Sequence, residues 1–183
     1  MKILFASANS AHAYMDIERE HRSLQQFAES GKHELRVLPA AEIADLRDAL
    51  SPSDSSLCFD ILHFSGHVTE DEGLQLRGSG RRKDYLATAA LKDLLRNSSV
   101  TLVILNACNS GTLAKSICDV VPAAIGTTHA IRDVVARQFT RNFYAALNEM
   151  ASVKTAFEIA VKKGKQGQPA FIHAGEDVAI GAN

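Results

Sequence analysis

The sequence predicts an α/β fold, a three-layer α/β/α sandwich on a mostly parallel sheet with a small hairpin excursion. Three observations predict it. Short apolar runs alternate with helical patterns along the chain, the pattern of parallel strands covered by helices on both faces. One run, VTLVILNA (100–107), is β-branched and continuously apolar, as in the middle of a parallel sheet. At 183 residues, 46% hydrophobic and 22% charged, the chain suits a single domain over 1–183 with a sizeable core.

The elements follow in order. KILFA (2–6) reads as a buried strand. DIEREHRSLQQFAES (16–30) reads as an amphipathic helix with Ile17, Leu24, Phe27 and Ala28 on one face, stopped by Gly31. HELRVL (33–38) alternates and reads as a less buried strand. AAEIADLRDAL (40–50) is a second helix, ended by Ser51-Pro52. CFDILHFS (58–65) is the third strand. Residues 68–86 hold Gly73, Gly78 and Gly80 among short alternating pieces, so they read as a loop or hairpin. ATAALKDLLRN (87–97) is a helix, VTLVILNA the central strand, GTLAKSICDV (111–120) a helix and PAAIGT (122–127) a short strand. Two helices follow at 132–149 and 152–163, then a short strand at Ala170–His173.

Net charge is −1, which gives no general nucleic-acid or membrane-surface character. The basic runs Arg81-Arg82-Lys83 and Lys162-Lys163-Gly164-Lys165 read as solvated loops or helix ends. ILFA after Met1-Lys2 is too short for a secretory signal, and no apolar run reaches the ~20 residues of a membrane span. Cys58, Cys108 and Cys118 are odd in number and form no CxxC pair. That disfavours a disulfide framework and a zinc site, and a reducing cytoplasm is expected. His12, His21, His33, His63 and His173 show no metal spacing; neither metal nor cofactor is expected.

In a parallel sheet the ligand crevice lies beyond the carboxyl ends of the strands. Two such ends hold a possible dyad. His67 follows the third strand in ILHFSGHV (61–68), and Cys108 follows the fourth in LVILNACNSG (102–111). A thiol with an ordinary pKa of about 8.5 needs a base or a positive field to become a nucleophile. An imidazole and the start of the next helix would supply these. The bland reading stands beside it: a cysteine after a buried strand is commonly a small core residue, and a histidine in a glycine-flanked turn is commonly structural. Spacing alone leaves the two readings level. Cys58 and Cys118 read as packing residues, and Ser65 and Ser110 as small turn residues.

HFSGHV together with NACNSG resembles the histidine and cysteine motifs of caspase-like cysteine proteases. Within that clan the chain resembles the bacterial CHAT family, caspase-like domains associated with tetratricopeptide repeats and related to separases. ILFASANS (3–10), DIEREHRSL (16–24), DILHFSGHV (60–68), LVILNACNSG (102–111) and PAAIGTTHAIRDVVARQFTRNFYAAL (122–147) carry the resemblance. It implies that Cys108 attacks a peptide carbonyl, that His67 acts as general acid and base, and that the backbone N–H groups of Cys108 and Val68 hold the oxyanion. The family's usual motif ends HFSGHG. Val68 is the departure, and a β-branched residue there would be strained if the turn needed positive φ.

Asn106, two residues before the cysteine, is implied to line the pocket for the residue before the cut, where relatives that cut after basic residues carry aspartate. Asp133 could supply that charge, or simply sit in the first turn of its helix; His129 could line the pocket or be a plain loop residue. The resemblance also implies a protein substrate, an activating sensor or partner protein, no direct nucleic-acid or membrane contact, and a role as regulated effector in bacterial defence or signalling. The alternative is a catalytically silent pseudoprotease serving as an interaction module. A nucleotide-binding module lacks any GxGxxG or P-loop pattern.

Overall fold

The computed structural model describes residues 1–9, 15–51, 58–69, 71, 73–79, 82–150, 152–164 and 170–180. His12, Pro52, Gly80, Arg81 and Lys165 from the readings above lie outside the described residues. The elements are β1 (Lys2–Ser7), α1 (Ile17–Gly31), β2 (Glu34–Leu38), α2 (Ile43–Leu50), β3 (Ile61–Ser65), β4 (His67–Thr69), β5 (Gly73–Arg77), β6 (Lys83–Leu86), α3 (Thr88–Arg96), β7 (Leu102–Asn106), α4 (Gly111–Ile117), β8 (Ala123–Thr127), α5 (Asp133–Met150), α6 (Val153–Lys163) and β9 (Phe171–Gly175).

Six strands form one sheet in the order β2-β1-β3-β7-β8-β9. Every neighbouring pair is parallel except β8–β9, which is antiparallel. The sheet has a helical layer on each face, as predicted. Successive side chains on a strand point to opposite faces, and the core divides accordingly. Leu4, Ala6, Leu62, Phe64, Val103 and Leu105 pack with α2, α3 and α4. Ile3, Phe5, Ile61, Leu102 and Ile104 pack with α1, α5 and α6. Both faces being dry, the central strands read as unbroken apolar runs.

Four readings need correction. The 68–86 excursion, read as a loop or hairpin, is antiparallel as a hairpin would be, but it is larger: β4, β5 and β6 form a separate three-stranded antiparallel sheet, and His67 is its first residue. Strands of three to five residues are too short to leave a periodic signal. This small sheet docks Leu74, Leu76 and Leu86 on the α2–α4 side of the core. The third strand begins at Ile61, so Cys58 falls outside it and is exposed instead of packed. At the end of α1 the left-handed residue is Lys32 (φ 53°), not Gly31. Gly31 lacks a side chain because the His33 ring lies where its Cβ would be. The last strand runs to Gly175, further than Ala170–His173.

Gly73 opens β5 with a φ of 91°, and a Cβ there would collide with the Leu86 carbonyl oxygen. Gly73→Ala combines a left-handed penalty with a backbone clash, and we expect a loss of about 2 to 4 kcal/mol in urea unfolding. An unchanged midpoint would show that the small sheet does not need this close approach.

Candidate active site

β3 and β7 are parallel neighbours, and Ser65 pairs with Asn106 at their carboxyl ends. His67 stands two residues beyond the first and Cys108 two residues beyond the second. The register therefore sets the two strand ends from which both follow side by side on one rim of the sheet. Gly66 makes the step from β3 to β4 in a confined place, since a Cβ would lie 2.8 Å from the Ala8 carbonyl oxygen. His67 is half-buried and sits opposite Gln75 in the small sheet, and Val68 sits opposite Leu74. Val68 is in extended backbone; the non-glycine residues with positive φ among those described are Lys32, Ala40 and Asn109. The valine thus carries no left-handed strain, because this turn asks for β geometry.

The turn carrying Cys108 is held from the β8 side. Ser110 Oγ donates to the Leu105 carbonyl at 2.9 Å and accepts from the Thr127 N–H at 3.0 Å. Thr127 Oγ1 donates to the Ala107 carbonyl at 2.6 Å. Cβ atoms at Gly126 and Gly111 would meet the Ser110 and Thr127 carbonyl oxygens at 2.8 and 2.9 Å. Asn109, directly after the cysteine, is left-handed with φ 57°, a conformation that asparagine tolerates better than most residues. Cys108 itself is half-buried, its Sγ 3.9 Å from the Ile131 carbonyl oxygen in the loop after β8.

Beneath this rim lies a group that the sequence reading missed. Glu20 of α1 is 3% exposed. Its carboxylate accepts from His63 Nε2 at 3.0 Å, Ser65 Oγ at 2.7 Å, Thr140 Oγ1 at 2.9 Å and, in a short contact, Asn106 Nδ2. His63 Nδ1 meets the Tyr144 hydroxyl at 3.1 Å. Burial by itself pushes the Glu20 carboxyl up. The hydrogen bond from His63, the His63 charge and the bonds from Ser65 and Asn106 more than reverse this, leaving it below its ordinary 4.5. Burial, then the Glu20 charge, holds the Tyr144 hydroxyl well above its ordinary range. Two signals were available: Glu20 lies on the stripe of Ile17, Leu24 and Ala28, and His63 shares a strand face with Ile61.

The network also places the remaining expected residues. Asn106 is 2% exposed and engages Glu20 and Thr140, with its Oδ1 buried and without a hydrogen-bond partner among the described residues. Asp133 is the first residue of α5, and its Oδ2 accepts the Asp16 N–H at 2.9 Å. That bond joins the starts of α1 and α5. Ser65 and Ser110 are fully buried in these networks and do not reach the crevice. His129 is exposed beside Thr128, its Nδ1 2.8 Å from the Thr128 hydroxyl.

Comparison with known proteins agrees with this architecture. The family model described as CHAT domain matches residues 6–169. A curated relative from Gillisia limnaea, named "Probable protease", is 24% identical over 157 residues, 79% of this chain and 26% of the relative. The chain thus spans about a quarter of that relative's length. Among solved structures, the Arg-specific cysteine proteinase gingipain R aligns with a TM-score of 0.65 and 11% identity, over 97% of this chain and 47% of that one. The Drosophila initiator caspase Dronc aligns with a TM-score of 0.61 and 8% identity, over 95% and 79%. The fold is therefore the α/β fold of caspases and gingipains. Among the described residues no helix is long and apolar enough to cross a membrane.

A carboxyl whose folded pKa lies below its unfolded value contributes stability that is fully present above the unfolded value. That contribution is lost as pH falls through the folded one. Glu20→Gln places an amide N–H₂ among donors, and we expect it to cost about 3 to 5 kcal/mol at neutral pH. Urea midpoints measured from pH 7 down should fall on the acid side for wild type and fall less steeply for the variant. Parallel curves would mean that Glu20 is not the anion of this network.

Proposed function

The chain belongs to the CHAT domain family, and we propose that it is a cysteine endopeptidase working through a His67–Cys108 dyad. The observation that carries this is the shared offset of both residues beyond the Ser65–Asn106 pair on adjacent parallel strands. The Cys108 thiolate attacks the scissile carbonyl carbon, and the resulting oxyanion is held by the backbone N–H groups of Cys108 and Val68. Collapse expels the amine, which takes a proton from His67 and leaves a thioester. Water, losing a proton to His67, then hydrolyses the thioester, releasing the acid and restoring the thiol. Asn106, buried beneath the rim, and Asp133, at the start of α5, are our candidates for the pocket of the residue before the cut, Asn106 as part of its floor. Charge recognition by Asp133 requires a substrate cation to take the place of the Asp16 N–H.

We place this activity in a regulated effector of bacterial defence or signalling, acting on a protein substrate in the cytoplasm and switched on by a sensor or partner protein. What supports regulation is the unequal support of the dyad: Cys108 is clamped by β7 and β8, whereas His67 belongs to the small antiparallel sheet. The second reading is a silent pseudoprotease used as an interaction module. Val68, standing where the family's usual motif has glycine, favours it, although its extended backbone removes the steric part of that argument.

An electrophilic peptide probe, with candidate activating partners present, should modify Cys108, and Cys108→Ala should abolish the adduct. His67→Ala should slow labelling by roughly a hundredfold, the scale of losing a general base. No adduct with any partner would sink the peptidase reading. Val68→Gly should leave the labelling rate within about threefold, because glycine relieves no positive-φ strain here. A large gain would mean that the valine blocks the oxyanion hole.

A further inference from the structure

The groove between α1 and α5 carries charge that the chemistry above does not use. Arg19 and Arg22 line it from α1, and Arg137 and Arg141 from α5, with Ser23 and Gln138 between them. The spacings i,i+3 and i,i+4 put each pair on one helix face. No carboxylate lines the groove among the described residues. Asp16 at its end pairs with both Arg19 and Arg137 at 3.2 Å, while Arg22 and Arg141 have no carboxylate within ion-pair reach among the described residues. Asp16 offsets part of the charge of four gathered guanidinium groups, and Arg22 and Arg141 leave the groove a surplus of positive charge on a chain of net charge −1.

Val134 and Gln138 belong to this groove and also to a neighbouring cavity of about 300 Å³. Val134 is 50% exposed. Behind it the cavity is lined by Ile131, Val135, Phe139, Val161 and Phe171. The carbonyl oxygen of Ile131, a residue of that wall in the loop after β8, lies 3.9 Å from the Cys108 thiol. The basic groove and the cavity, whose apolar wall also carries Arg132 and Gln138, therefore adjoin at Val134 and Gln138, and Ile131 links the cavity wall to the Cys108 turn.

We propose that this surface is an exosite for the substrate polypeptide. It takes an acidic stretch along the arginines and a large apolar side chain in the cavity behind Val134. The inference rests on the peptidase reading, because continuity with the Cys108 turn is what assigns the segment to the substrate. Planar guanidinium forks suit carboxylates. Among the described residues no aromatic ring on which a base could stack lines the arginine groove, which disfavours nucleic acid.

The test uses the full chain carrying Cys108→Ala and a fluorescein-labelled peptide, Glu-Asp-Glu-Glu-Leu-Leu. Saturable anisotropy is expected. Arg22→Glu with Arg141→Glu should weaken binding about tenfold or more, and Arg22→Gln with Arg141→Gln by a smaller factor, as charge complementarity requires. Urea midpoints confirm that the variants fold. Serines in place of the peptide leucines should weaken binding about fivefold. Absence of saturable binding, binding unmoved by the arginine variants, or tighter binding of an oligouridylate of equal charge each overturns the exosite. Labelling of Cys108 in the otherwise wild-type chain separates the two readings. Labelled Cys108 without peptide binding removes the exosite alone; peptide binding without labelling removes the substrate assignment together with the peptidase reading.

Discussion

Glu20 accepts hydrogen bonds from His63 and Ser65 on β3, from Asn106 on β7 and from Thr140 on α5. Taking a carboxylate out of water costs several kcal/mol even after relaxation, and the cost is offset only when its lone pairs are filled. The four donors come from three elements of the fold, and Glu20 itself from a fourth. Satisfying it therefore fixes how far β3 and β7 have slid relative to each other, and how close α1 and α5 stand. The last pair so fixed, Ser65 with Asn106, is the pair from which His67 and Cys108 are counted. The offset of the strand ends that carry His67 and Cys108 thus depends on the solvation of a buried carboxylate beneath them.

Above that anchor the two dyad residues depend on different parts of the molecule. Cys108 sits on a turn pinned to β7 and β8 by Ser110 and Thr127, with Gly111 and Gly126 allowing the backbones to touch. His67 is the first residue of the small antiparallel sheet, whose buried leucines pack on the α2–α4 side. The side chains beneath the rim, Ser65 and Asn106, face the other side, toward α1 and α5. A shift of the small sheet would move His67 relative to Cys108 while leaving the Glu20 network intact. Regulation acting on one dyad member through one docked element needs an arrangement of this kind.

The sheet and its helices were legible because parallel strands buried on both faces leave unbroken apolar runs, and their covering helices leave stripes. The two positions of the proposed dyad stood out because both motifs end on such runs. The network under them was not legible. Glu20 lies on the apolar stripe of α1, but a single acid there does not reveal its partners, which lie on β3, β7 and α5, far away in the sequence. His63 sits between Leu62 and Phe64, where an inward histidine and an outward one look alike when both faces are buried. The small sheet was missed for another reason: Gly73 and the short strands around it are specified by a close approach to Leu86, a contact that sequence spacing does not record. The arginine groove escaped because its halves are more than 100 residues apart (Arg22 and Arg141) and each is unremarkable alone.

Val68 had seemed the feature most at odds with catalysis, on the premise that the residue after the histidine must be free to adopt positive φ. The left-handed residue at this rim is instead Asn109, after the cysteine. A single left-handed asparagine costs on the order of 1 kcal/mol and persists only where neighbouring contacts impose it. Here the neighbours are a buried serine, a buried threonine and two glycines in backbone contact. An interaction module has no need of a strained, over-determined turn at a half-buried thiol. The nucleophile role proposed for Cys108 would use one, because an attacking atom must be held against the surrounding turn while its substrate moves. The conformational constraint thus lies on the cysteine side of the rim, and the valine on the histidine side is compatible with it.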